Sequence, residues 1–78
     1  MDKYLEVVIN FLKEHTAKDL ADVSPETKLQ ENLGLNSLEL MGIVNDAEDE
    51  FNIVIEDEEL ANLHTIKDLM ELLQNKGV

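Results

Sequence analysis

Three stretches of the chain repeat apolar side chains at helical spacing, and the segments between them do not. Leu5, Val8, Ile9 and Leu12 recur at i, i+3, i+4 and i+7, which marks one buried face of a helix over roughly residues 2–15. Tyr4, Val7 and Phe11 widen that face enough to meet more than one neighbour. Leu40, Ile43, Val44, Ala47 and Phe51 form the buried stripe of a second helix, while Leu38, Met41, Asn45 and Glu48 fall on a different side. Ile66, Leu69, Met70 and Leu73 give the stripe of a last helix, with Thr65 and Asp68 at capping-box spacing before it and Gly77 closing it. Asp57 to Leu60 reads as a short helix between the second and the last. The pattern predicts an all-α fold, a small four-helix bundle of three main helices and one short one.

The intervening segments carry their own signals. From Thr16 to Asn36 the period fades, and Pro25 in Ser24-Pro25-Glu26-Thr27 fixes its own φ and biases its predecessor away from helix. Loops of that length in compact domains either pack or serve a function, so Val23, Leu29 and Leu33 are expected to pin this one to the bundle. Ile53-Val54-Ile55 is β-branched and strand-like, but no second strand is available to pair with it. It is assigned to a connecting loop whose apolar residues tuck into the core.

Composition narrows the class. At 78 residues the chain is expected to form a single domain, residues 1–78. Six basic residues stand against 18 acidic ones, a formal net charge of −12, which repels nucleic acid and favours basic protein surfaces. The acid is concentrated: ten carboxylates and no lysine or arginine lie between Lys28 and Lys67. Such a run is either a solvated face or a steering field for cationic partners, and diffuse divalent cations would relieve its self-repulsion. It lacks the spaced acids and obligatory glycine of an EF-hand. With no cysteine, disulfides and thiolate metal sites are excluded, and any thiol chemistry must come from an added group. No apolar run approaches the ~20 residues that span a bilayer, and the start of the chain has no signal-peptide pattern. The expectation is an intracellular, cytoplasmic monomer.

One stretch looks like a site. In Leu33-Gly34-Leu35-Asn36-Ser37-Leu38-Glu39-Leu40, Asn36 is a good N-cap and Glu39 lies three residues on, the spacing of a reciprocal capping box. Ser37 then falls in the first helical turn, where a phosphate ester on its hydroxyl would meet unpaired backbone N–H groups and the positive end of the helix dipole. The bland alternative is that Asn36 and Ser37 merely start a helix. Enzymatic readings find less support. A nucleophilic serine needs a positioned base and an oxyanion hole, and His15 and His64, the only histidines, read as surface or helix-end residues. Two histidines without cysteine do not suggest zinc, so no metal ligand is assigned. Carboxylates along a helix surface lack the burial that acid–base catalysis requires.

The Gly34-Leu35-Asn36-Ser37-Leu38 turn opens an acidic helix ending in Glu48-Asp49-Glu50-Phe51, then come the Ile53–Glu59 segment and a last helix. In order and spacing, over nearly the whole chain, this resembles an acyl carrier protein, whose signature is Gly-x-Asp-Ser-Leu. The resemblance implies a non-catalytic carrier. Ser37 would bear a 4′-phosphopantetheine arm drawn from coenzyme A, with Asn36 as the helix cap beside it. The arm's thiol would hold acyl thioesters for enzymes of fatty-acid, polyketide or related lipid biosynthesis. It also carries Leu38, Met41, Glu48, Asp49 and Glu56 over to docking on a phosphopantetheinyl transferase and acyl-handling enzymes with basic patches. Three departures suggest a specialised member: Asn36 replaces the family's aspartate, Gly42 stands where carriers of primary fatty-acid synthesis have an acid, and Asn45 where they are apolar. Gly42 is read as a point of close approach for a dedicated partner. Two other readings stay open, a never-modified acidic module that binds a basic protein, and an acidic cation buffer.

Overall fold

A computed structural model describes residues 2–78. Its helices are α1 (Lys3–His15), α2 (Ser37–Phe51), α3 (Asp57–Leu60) and α4 (Ile66–Asn75). Among the described residues there is no strand, only one isolated bridge between Lys28 and Thr65. Each main helix starts on a side chain that accepts an otherwise orphaned backbone N–H: Asp2 from Tyr4, Asn36 from Glu39 and Thr65 from Asp68. The bundle is organised around α1, which packs against both α2 and α4. Val8 and Leu12 form its buried centre, while Leu5 and Ile9 from the same stripe are only half-buried. Phe11 meets Phe51 edge to face at 6.0 Å, and the Tyr4 hydroxyl donates to the Val78 carbonyl at 2.8 Å, tying the two ends of the bundle's chain together.

The long loop is ordered by the last helix as much as by the core. Leu29 and Leu33 are buried and Val23 is half-buried, as the sequence predicts, but Leu35 is buried too. Its burial follows from tight turns that periodicity does not register: Leu33 N–H donates to the Lys28 carbonyl, Gly34 to Gln30 and Leu35 to Leu29. Gly34 takes φ +67°, a left-handed conformation that an L side chain rarely adopts, and so redirects the chain toward α2. Backbone bonds then fasten the loop to the start of α4: Leu29 N–H to the His64 carbonyl, Ile66 to Thr27 and Lys67 to Pro25, all between 2.8 and 3.0 Å.

Past α2 the prediction needs one correction. Ile55 is buried and Ile53 half-buried, but Val54 is 66% exposed. The chain leaves α2 through Asn52 in a left-handed cap, and the Ile55 N–H is held by the Glu48 carboxylate at 2.9 Å. That extended passage puts alternate residues on opposite sides, so not all three can face inward. In α4 the inward face is wider than its predicted stripe, because Leu72 is buried beside Ile66, Leu69 and Leu73.

Candidate functional site

Ser37 is the first residue of α2 and its side chain is exposed. The local sequence builds this start from both directions. Asn36 Oδ1 accepts the Glu39 N–H at 2.8 Å, and Glu39 Oε1 accepts the Asn36 N–H at 3.0 Å, so the capping box is closed. Asn36 itself is extended, with φ −88° and ψ 175°, which is the geometry of a chain turning into a helix. The Ser37 oxygen is therefore held at the positive end of the α2 dipole, beside N–H groups of the first turn that have no carbonyl four residues earlier within the helix. A phosphodiester on that oxygen fits: the hydroxyl is open to solvent, the site favours an anion, and Gly34 leaves the approach without a side chain.

Two side chains near this start have roles that no local sequence pattern announces. A side chain built at Gly34 would stand 3.7 Å from Lys18 Cε, so Lys18 brings a cation from the loop to the turn that precedes Ser37. Its distance along the chain gave no signal. Leu35 anchors the same turn from below.

The face of α2 that the core leaves free begins next to the serine. Leu38 is 81% and Met41 40% exposed, and Asn45 is exposed further along. Asp49 and Glu56 are exposed, whereas Glu48 is half-buried with one oxygen committed to Ile55. Leu38, Met41 and Asp49 can thus meet a partner directly, and Glu48 has a structural duty as well. Exposed apolar side chains next to carboxylates suit a partner that presents a basic rim around an apolar seat.

Gly42 has an internal explanation, which overturns its reading as an opening for a partner. A Cβ there would lie 2.8 Å from His15 Cε1 and 3.0 Å from its Nδ1. The ring at the end of α1 occupies the space that a side chain at Gly42 would take, and its Nε2 makes a 2.6 Å contact with Asp46 Oδ2. His64 is exposed, and its backbone N–H donates to Asp68. Neither ring is grouped with Ser37.

Two carboxylates are held below their ordinary range. Glu59 is lowered by the backbone N–H of Glu56 and by Lys76, 2.9 Å away. Burial pushes Asp68 up, but the N–H groups of His64 and Thr65 and the Thr65 hydroxyl pull it below the usual value. Both carboxylates lie in the first turn of a helix, where backbone N–H groups are free to bind them.

Residues 6–73 match the family model described as "Phosphopantetheine attachment site". The acyl carrier protein of Myxococcus xanthus is 35% identical over 72 residues, covering 92% of this chain and 91% of that protein. One from an Exiguobacterium species is 38% identical over 63 residues, covering 81% and 80%. The crystal structure of the acyl carrier protein from Thermotoga maritima superposes with a TM-score of 0.78 at 33% identity, covering 94% of this chain and 88% of that one.

Proposed function

Because the chain belongs to the acyl carrier proteins, the family with a phosphopantetheine attachment site, we propose that Ser37 is its attachment point and the free face of α2 its docking surface. The acyl carrier role, with 4′-phosphopantetheine as the cofactor, comes with that membership. The observation that carries the assignment is the exposed Ser37 hydroxyl on the first residue of α2, in a closed Asn36–Glu39 capping box. When attached, the arm supplies a terminal thiol on which acyl groups are held as thioesters.

The chain's own residues do the rest. Asn36 fixes the helix start and keeps the capping oxygen of the family's aspartate, without its charge. The α2 dipole and its first-turn N–H groups favour the phosphodiester on Ser37 Oγ. Leu38 and Met41 offer the apolar contact, while Asp49, Glu56 and the free oxygen of Glu48 steer basic patches on the transferase and on acyl-handling enzymes. We place the protein in the cytoplasm as a single carrier domain, acting as a carrier and not a catalyst in fatty-acid, polyketide or related lipid biosynthesis. No described helix is long and apolar enough to cross a membrane.

Intact-mass spectrometry after incubation with coenzyme A and a broad-specificity phosphopantetheinyl transferase tests the assignment. The expected result is a gain of one arm, absent in Ser37→Ala. A gain that persists in Ser37→Ala would move the site elsewhere. Asn36→Asp, which restores the family's charge at an unchanged cap, is expected to be modified at least as fast as the unaltered chain; slower modification would show that the asparagine is read by the transferase.

A further inference from the structure

Away from Ser37, the junction of α1 and α2 brings together one imidazole and two carboxylates. Glu14 and His15 end α1, and Asp46 comes from the third turn of α2. One ligand atom from each lies within 4.8 Å of the other two. The imidazole is fixed by features outside this cluster. Its ring lies on Gly42, where a Cβ would come within 2.8 Å, so the missing side chain is the seat that lets the ring reach Asp46. The side chains of His15 and Asp46 are only 23% and 37% exposed. Beside them is an open pocket of about 420 Å³ lined by Phe11, Glu14, Asp46, Asp49 and Glu50, four carboxylates and no cation. The negative end of the α1 dipole lies at the same junction.

We propose that Glu14, His15 and Asp46 form a binding site for a borderline first-row divalent cation, of which zinc fits best. An imidazole nitrogen with two carboxylate oxygens suits zinc and its neighbours, whereas calcium and magnesium take oxygen donors throughout. Donors on tetrahedral zinc stand about 3.4 Å apart, given bonds of about 2.0–2.2 Å. The 2.6 Å His15–Asp46 contact therefore opens by less than 1 Å when the ion enters, and Glu14 swings in from solvent. A fourth position faces the pocket and is left to water. The ion replaces the His15–Asp46 contact between the two helices by a cross-link, and it partly neutralises the carboxylates of Asp46, Asp49 and Glu50 that line the pocket.

The test is a titration of the full chain, first stripped with a chelator, with zinc chloride, followed by calorimetry and by the ring signals of the two histidines. One equivalent is expected to saturate the site, shift the His15 ring signals but not those of His64, and raise the melting temperature. Glu14→Gln removes a charged ligand at an exposed position and keeps the His15–Asp46 contact, so it is expected to weaken binding clearly, by more than the roughly tenfold that loss of a mere outer-shell partner costs, without changing the fold. His15→Gln is expected to abolish binding, and His64→Gln to leave it unchanged. Zinc held as tightly by Glu14→Gln and His15→Gln as by the unaltered chain, or no more tightly than magnesium, would overturn the site and leave only diffuse attraction to the acidic surface.

Discussion

Gly42 stands in the middle of α2 with a neighbour's ring packed where its side chain would be. Mid-helix glycine costs about 1 kcal/mol relative to alanine, which makes it look like a concession to an outside partner. The neighbour is His15, 27 positions earlier in the chain, and no spacing rule links the two. In chelator, Gly42→Ala is expected to gain less than the ~1 kcal/mol that helix propensity alone would give, because the half-buried His15 ring must swing off position 42 and give up its contact with Asp46. In a His15→Ala background the same change is expected to stabilise by about 1 kcal/mol. Urea unfolding of the four chains measures this directly, and equal effects in both backgrounds would remove the steric explanation. The capped start of α2 at Ser37, by contrast, is legible from its neighbours, since Asn36 and Glu39 are local and their bond geometry follows from a three-residue spacing.

Strong periodicity locates a helix to within a residue or so: the spacing predicts α1 over residues 2–15, and it runs from Lys3 to His15. Segments whose order comes from elsewhere are less legible. Leu35 and Leu72 are buried by turns and by a broad helix face, and Val54 points outward because its backbone is extended. At α4 the local chemistry makes a pH-dependent prediction. Asp68 Oδ2 accepts the N–H groups of both His64 and Thr65, and its acidity is raised in the fold. A carboxylate with a depressed folded pKa contributes stability that is present above its unfolded value, near 3.8, and is lost as the pH falls through the folded one. Asp68→Ala is thus expected to lower stability by about 1 kcal/mol at neutral pH. Thermal melts from pH 7 down to below 3 should show the gap closing as pH falls beneath the unfolded value; a constant gap would mean that Asp68 acts through packing alone.

For the whole molecule, charge is the dominant quantity. A formal charge of −12 on a body with a radius of gyration of 11.3 Å crowds like charges within a Debye length of one another. Raising the salt from about 0.01 M to 1 M shortens that length from about 30 Å to about 3 Å, and is expected to stabilise the fold by about 1 kcal/mol, or roughly 4–8 °C in melting temperature. A flat salt dependence in calorimetry would show the repulsion to be relieved already. Partner association should move the other way, slowing as salt screens the steering field. Finally, the bonds that join Pro25, Thr27 and Leu29 to His64, Ile66 and Lys67 impose an order on biosynthesis. A chain made from its N-terminus cannot settle the loop ahead of Ser37 until the start of α4 has been made and is free to pair with it. Released chains truncated before Ile66, which leave Ser37 in solvent but lack these bonds, are therefore expected to be poor substrates for modification in the intact-mass assay, and modification as fast as in the full chain would show that the motif suffices without the finished fold.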